Sequence, residues 1–214
     1  MLLNSRIKLL IFLMLTCGAC STESALPESK KMSEAISTNS SNSTTTIARK
    51  ASNDAKKVNK DHSGEVYFLG ADLTGGNYAG QNWSRVRAPG ALLHNVNFSF
   101  ADLSFAYLPL AEGNFANFRG ADLGGAFLNG ADFRISIFIN ARLNSAELVS
   151  ANLEVANFSG AKLNGAHLEN ANLKGANFDG ADLSFANLKG ATGFDMSTKA
   201  IFYKTIMPDG TVNG

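Results

Sequence analysis

The chain has 214 residues, and its 19 lysines and arginines nearly balance its 18 aspartates and glutamates. The chain thus has almost no net charge, so its composition does not point to a basic surface for nucleic acid or to a strongly acidic one. Both cysteines lie within the first twenty residues, so the remainder of the chain has no disulfide and no thiol chemistry.

Residues 1–20 are typical of a bacterial export signal. A basic region at Arg6 and Lys8 precedes an apolar stretch over residues 9–15. That stretch is too short to span a bilayer as a permanent helix. We therefore predict that residues 1–20 direct the chain out of the cytoplasm.

The end of this segment, Thr-Cys-Gly-Ala-Cys at 16–20, resembles the lipobox of bacterial lipoproteins. We expect lipidation of Cys20, which follows an alanine, rather than of Cys17, which stands where the lipobox pattern has leucine. By the same resemblance, Ser21 in place of aspartate favours the outer membrane in a cell with two membranes. An ordinary cleaved signal with two incidental cysteines is the alternative.

Residues 21–64 are mostly Ser, Thr, Asn, Lys and Glu. Such a segment buries too little apolar surface to offset the entropy lost on ordering. We predict a flexible tether between the proposed anchor and the rest of the chain.

From Val66 to Gly190 the sequence divides into 25 five-residue units. Alanine occupies the first position in 19 of them, and Leu or Phe the third position in 21. A period of five fits neither a helix nor a flat strand. Since no unit can bury its own leucine, successive turns must stack, with first and third positions inside and second and fourth outside.

A second period of twenty divides the third positions into four columns. One column is aromatic throughout, which predicts that four units make one square coil and that the rings stack. The adjacent second positions are asparagine except at Ile137, which predicts an amide ladder. In a leucine column, Gly113 leaves a gap that we expect Phe133 to fill. The aromatic column comprises Tyr78, Phe98, Phe118, Phe138, Phe158 and Phe178.

These units resemble the pentapeptide-repeat family, whose pattern is Ala-(Asp/Asn)-Leu-x-x. The resemblance covers residues 66–190 and implies an all-β, right-handed quadrilateral parallel β-helix, here of about six coils. We assign residues 65–190 to this helix and 191–214 to a C-terminal cap and tail. Pro208-Asp209-Gly210 predicts a turn there. The expected capping side chains are Phe194, Ile201, Phe202 and Ile206.

No residue pattern points to chemistry. His62 lies in the tether, and His94 and His167 lie several coils apart in the repeat. The aspartates at second positions belong to the repeat pattern. The glycines are turn glycines, with no phosphate loop or nucleophile elbow among them. We predict no catalytic residue, no metal, no cofactor and no small-molecule substrate.

Outward apolar residues are the candidate binding surface. Phe115, Ile135 and Val155 occupy one corner of three successive coils, with Ile137 and Ile139 nearby. A second group, on another face, comprises Phe105, Tyr107, Leu110 and Phe127. Contiguous exposed apolar surface marks interaction sites, so we predict that a protein partner or a second copy docks here. Local packing of these side chains over the corner is the alternative.

The family includes gyrase-protecting proteins whose acidic rods imitate DNA. Residues 66–190 carry ten acidic and eight basic groups, mixed along each column. The resemblance therefore does not extend to the strongly negative surface that imitation of DNA requires. We expect no nucleic-acid partner. The sequence predicts a non-enzymatic lipoprotein of the cell envelope that presents a β-helix as a scaffold or binding module. The alternatives are a soluble periplasmic or secreted interaction protein and a gyrase-interacting DNA mimic.

Overall fold

The computed structural model describes residues 59–60 and 66–213. The predicted export signal, the lipobox cysteines, His62 and most of the tether lie outside the described residues. Two residues of the predicted tether, Asn59–Lys60 (β1), pair antiparallel with Val66–Tyr67 (β2) at the start of the repeat. Within the described ranges, no helix is long and apolar enough to cross a membrane.

Each turn of the repeat lies directly on the next one. Parallel bridges join each second-position residue to the residue twenty positions later, as in Asp102 to Asp122 to Arg142. The predicted quadrilateral β-helix is confirmed. Its faces are named here by their inward residues: the first from Phe68 to Leu188, the second from Leu73 to Leu173, the third from Tyr78 to Phe178 and the fourth from Trp83 to Leu183.

The core consists of the first-position alanines and the third-position side chains, nearly all of them fully buried. On the third face the predicted aromatic ladder is confirmed. Phe138 stacks on Phe158 at 4.8 Å and 5°, and Phe158 stacks on Phe178 at 4.9 Å and 4°. Each such pair contributes about 0.5–1.5 kcal/mol beyond its burial. Most first positions hold alanine, and Val96 is a larger side chain that is also buried at this position.

The second-position Asp and Asn side chains cap the turns. In fourteen units the side-chain Oδ1 accepts the backbone N–H of the fourth residue, as Asp122 does from Gly124 at 2.9 Å. These Asx turns give the outward second position a structural role. Pro89 and Pro109 follow Arg87 and Tyr107, which cannot cap in this way, and a proline has no N–H that needs an acceptor.

The predicted compensation at Gly113 is also confirmed. A Cβ atom on this glycine would lie 2.5 Å from Phe133 Cδ1, so the ring of the next coil fills the gap. Ser136, one unit later, replaces a core alanine and is buried. Its Oγ donates to the Gly113 carbonyl at 2.7 Å and accepts from the Ala116 N–H at 3.2 Å. The buried hydroxyl is therefore fully paired.

The coil continues past the last alanine repeat in a frame shifted by one residue. Asp182 pairs with Ile201 and Asn187 pairs with Ile206, one position short of the usual twenty. The segment 200–209 thus forms two further units, with Thr205 and Met207 buried inside. The prediction that Ile201 caps the core is wrong, because the shift puts it at an exposed second position.

Of the other predicted capping residues, two pack against the core and one does not. Phe194 and Phe202 pack against the core, and the ring of Phe194 lies 5.4 Å from that of Phe178. Ile206 is only half-buried, since it too occupies a second position. The predicted Pro208-Asp209-Gly210 turn is confirmed by the Gly210 N–H, which donates to the Met207 carbonyl at 2.9 Å. This turn joins Thr205–Ile206 (β3) to the antiparallel Val212–Asn213 (β4).

Candidate interaction surfaces

The corners of the coil lie at the fifth positions, where the backbone adopts positive φ. Glycine is strain-free in this region, whereas a side chain with a Cβ costs about 1–2 kcal/mol. A β-branched residue there is a true outlier. Ile135 and Val155, both at φ 60°, occupy two successive coils of the corner between the second and third faces, whereas Gly75 and Gly175 end that same row.

Phe115, Ile135 and Val155 form a continuous row, called here the corner stripe. Their exposed fractions are 36%, 42% and 43%, so each leaves a large part of its side chain in water. Since the strained backbone supports an exposed apolar row, the stripe is not explained by the fold alone. A strained site of this kind supports a hypothesis of function.

Ile137 and Ile139 lie half-buried on the third face, beside the stripe. The predicted amide ladder is present in the coils that precede Ile137, where the Asn117 side chain donates to Asn97 Oδ1 at 3.3 Å. At Ile137 the ladder stops, because isoleucine has no amide. It also has no oxygen to accept the Ile139 N–H, so this unit lacks the Asx turn of its neighbours. The structure thus brings together the first predicted surface group on one corner and one face.

Charged side chains border the stripe in pairs. Arg134 forms a bidentate contact with Asp132, with Nε–Oδ1 at 2.9 Å and a terminal nitrogen 2.8 Å from Oδ2. The hydrogen bond and the charge of Asp132 raise the pKa of Arg134 above its ordinary value. One coil further on, Lys174 lies 3.5 Å from Glu154. The border of the stripe therefore carries both signs of charge.

The second predicted group lies on the first face and its two corners. The rings of Tyr107 and Phe127 lie 5.9 Å apart, and the guanidinium of Arg87 lies 4.9 Å from the Tyr107 ring. Phe105 and Leu110 flank Tyr107 at the corners, 55% and 66% exposed. The structure therefore places these residues on one side of the coil, as expected.

The corner side chains of this second group also pack locally. A Cβ on Gly125 would lie 2.7 Å from the ring of Phe105, and a Cβ on Gly130 would lie 2.8 Å from Leu110. Each large side chain thus leans over a glycine of the next coil. Phe100, which sequence reasoning missed, does the same over Gly120 and is 69% exposed. Local packing and exposure therefore coexist at these corners.

Both histidines of the stack lie beside glutamates. His94 lies 3.7 Å from Glu112, and His167 lies 3.3 Å from Glu169. Over residues 59–60 and 66–213, no three His, Cys, Asp or Glu side chains are arranged to hold a metal ion.

Burial alone would raise the pKa of Asp182, but hydrogen bonds from Ser184 and Asn164 and the charge of Lys162 outweigh it and lower the pKa.

A shallow groove of about 340 Å³ lies at the C-terminal end of the stack. Its walls are largely apolar, and its one carboxylate, on Asp209, accepts hydrogen bonds from Thr211 at 2.9 and 2.7 Å. The groove therefore presents no convergent set of free polar groups for a small ligand. Its lining comprises Ala191, Gly193, Phe194, Met196, Met207, Pro208, Asp209 and Thr211.

The repeat and its fold are both found in known proteins. Residues 116–154 and 156–192 match the model of pentapeptide repeats in eight copies. A trypsin-treated variant of QnrB1, a plasmid-mediated fluoroquinolone resistance protein, is similar in structure with a TM-score of 0.52 and 24% identity, over 65% of this chain and 70% of that chain. No curated protein sequence matches this one.

Two further solved structures are similar. A pentapeptide repeat protein from the Arabidopsis thaliana thylakoid lumen is 30% identical over 55% of this chain and 68% of that chain, with a TM-score of 0.38. The pentapeptide repeat protein Rfr23 from a Cyanothece cyanobacterium is 27% identical over 63% of this chain and 90% of that chain, with a TM-score of 0.45.

Proposed function

Because the chain belongs to the pentapeptide-repeat family, whose members fold as right-handed quadrilateral β-helices, we propose that it is a non-enzymatic protein-binding module of the cell envelope. Proteins of this family are in general structural or interaction modules rather than enzymes. In this proposal the stack is a rigid support, and its function lies in the side chains that depart from the repeat.

The observation that carries the binding role is the corner stripe. A repeat protein can place glycine at every fifth position without strain, yet this chain has Ile135 and Val155 there at φ 60°. Both side chains are exposed, so burial within the chain does not compensate for the strain. A partner that covers the stripe would bury this apolar surface.

The test of the binding role uses aspartate substitutions in intact cells. Ile135→Asp and Phe127→Asp each place a charge on one candidate surface. Ser145→Asp is the matched control, since Ser145 is another exposed fifth-position residue at φ 55°. We expect one surface variant to lose a specific cross-linked species that the control retains. Identical cross-linking patterns in all three variants would contradict the proposed binding role.

The proposed location follows from the first twenty residues, where a basic start, a short apolar stretch and Cys20 resemble a lipoprotein signal. In this proposal acylated Cys20 anchors the chain, and the segment 21–64 carries the β-helix away from the membrane. Globomycin, which blocks lipoprotein signal cleavage, should cause the precursor to accumulate. Cys20→Ala should abolish this response and Cys17→Ala should not.

Fractionation separates the anchored form from its alternatives. Membrane recovery that depends on Cys20 supports the lipoprotein. Recovery in the soluble periplasmic or secreted fraction would support an unanchored interaction protein instead. A cytoplasmic chain would restore the gyrase-interacting DNA mimic as an alternative. The mixed charges of the fourth face, Asp102, Asp122, Arg142, Lys162 and Asp182, do not favour that alternative.

A further inference from the structure

We infer that the corner stripe and the third face form a self-complementary interface, across which two copies of this chain pair side by side and antiparallel. The two-fold axis passes between the coil of Ile135 and the coil of Val155. This inference deepens the proposed binding role by naming its partner as a second copy, and it does not depend on the lipid anchor.

The two-fold axis fixes which residues meet. In an antiparallel pair, the third face of one copy lies on the third face of the other, and the same corners come together. With the axis between these two coils, Ile135 faces Val155 of the second copy. Phe115 then faces Gly175, so the largest side chain of the stripe meets the position with no side chain. Ile139 faces Ser159 in the same register. The surfaces therefore complement each other in size.

The charges select this register over its neighbours. With the axis between the coils of Ile135 and Val155, Arg134 faces Glu154 of the second copy, and Arg119 faces Asp179. The Asp179 carboxylate is held in place by the Lys199 N–H at 3.2 Å. A shift of the axis onto the coil of Ile135 would bring Arg134 against itself.

A shift in the other direction, onto the coil of Val155, would bring Glu154 against itself and Arg134 against Lys174. Like charges placed directly opposite oppose association, so both of these registers are disfavoured. Among the three, only the register with the axis between the two coils has opposite charges facing each other and no like-charged pair on this surface.

On the third face, Ile137 deprives the isolated chain of two hydrogen bonds. Ile137 interrupts the amide ladder after Asn117 and leaves the Ile139 N–H without the Asx turn found in other units. Asparagine at 137 would restore both. In the pair, Ile137 faces Asn157 of the second copy next to the stripe, where it adds to the apolar surface that becomes buried. The departures from the repeat thus coincide with the proposed contact.

The size of the surface predicts modest affinity. One face of six coils is roughly 29 Å long at strand spacing. With a width of about three residues, roughly 10 Å, the face covers about 300 Å² per copy. Two copies would therefore bury roughly 600 Å², which is small against the roughly 1,200–2,000 Å² buried in a stable interface. We therefore expect a reversible dimer with a dissociation constant on the order of micromolar.

Sedimentation velocity of the purified full chain tests the inference. We expect the wild-type chain to move from monomer to dimer as its concentration rises. The variant Ile137→Asn/Ile139→Ser copies the residues that stand one coil later and should weaken dimerisation about tenfold or more. Phe185→Asn removes an exposed aromatic side chain from the corner between the fourth and first faces, outside both predicted surface groups, and should leave dimerisation unchanged.

A charge exchange tests the register. Arg134→Glu alone should weaken the dimer, and Arg134→Glu/Glu154→Arg should restore it. A chain that stays monomeric at all concentrations overturns the inference, as does a dimer that survives Ile137→Asn/Ile139→Ser. Thermal unfolding of each variant verifies that it is folded. Because this assay contains only the pure chain, its failure leaves the cross-linking test of the proposed binding role independent.

Discussion

Phe133 occupies the space that Gly113 leaves in the coil before it, and the two residues act as one packing unit. The added Cβ that would collide with Phe133 Cδ1 at 2.5 Å would lie 3.4 Å from Leu93 Cβ on its other side. The column is otherwise leucine below and above, so volume has been moved from one coil to the next without leaving a cavity.

This relationship predicts non-additive substitutions. Gly113→Leu alone should destabilise the chain by about 1–3 kcal/mol through overpacking. Phe133→Leu alone should destabilise it through the cavity that it opens. The double variant restores the leucine column and should unfold within a few degrees of wild type. Thermal unfolding followed by circular dichroism measures all three, and additive losses would show that the residues are not coupled.

A second prediction separates backbone strain from crowding at one corner. Gly125 and Gly165 have φ values of 62° and 66° on the same corner row, but Phe105 leans over Gly125 and only Ser145 lies near Gly165. Gly165→Ala should cost about 1 kcal/mol from positive φ. Gly125→Ala should cost about 1–3 kcal/mol more, because the ring must move. Equal changes in melting temperature would contradict this explanation.

The control for this prediction is built into the chain. Phe105→Ser makes the Gly125 corner resemble the Gly165 corner, where a serine lies near the glycine. In that background, Gly125→Ala should cost no more than Gly165→Ala does in the wild-type chain. A persistent difference would show that the ring of Phe105 is not the cause.

A third prediction concerns the interrupted amide ladder. Ile137→Asn supplies an acceptor for the Ile139 N–H and a ladder partner for Asn117, each hydrogen bond being worth about 1 kcal/mol. We expect the melting temperature of the monomer to rise. Ile139→Asn is the matched control, because the fourth-position N–H of the next coil, that of Ser159, is already accepted by Asn157. A rise in the melting temperature of both variants would show that a more polar side chain at the surface, and not the turn, is the cause.

The fourth prediction concerns acid stability. Since hydrogen bonds and the charge of Lys162 lower the pKa of Asp182 in the folded chain, its carboxylate favours folding above the ordinary aspartate pKa of about 3.9. This contribution is lost as the pH falls through the lower folded-state pKa. Asp182→Asn keeps the oxygen that accepts from Ser184 and removes the charge. Its melting temperature should therefore fall less than that of wild type between about pH 6 and pH 2.

Much of the fold could be predicted from the sequence, because it repeats. The aromatic column and the match of Phe133 to Gly113 follow from counting in steps of twenty. The continuation through Ala200 could not be found in that way, since one missing residue moves every later position out of phase. Because of this loss of phase, Ile201, which the sequence suggests as a capping side chain, lies at an exposed second position.

The candidate surfaces were predicted in part. Outward positions identify Ile135 and Val155, but only the backbone shows that both are strained. The Asx turns were not predicted, because the N–H of a fourth residue is not visible in a residue pattern. The Asx turns show that Ile137 is more than a neighbour of the stripe. It deprives the free chain of two hydrogen bonds, one in the turn and one in the amide ladder.

Antiparallel strands lie at both ends of the first face, where a further coil would have to add. β1 runs antiparallel to β2 before the first coil, and β4 runs antiparallel to β3 after the last one. A further coil of another molecule would need parallel partners, and on this face it meets backbone of the opposite direction at either end. An exposed edge that could template indefinite elongation is thereby blocked on that face. On the first face, the described stack therefore ends at both sides in a strand that does not offer a parallel partner to a further coil.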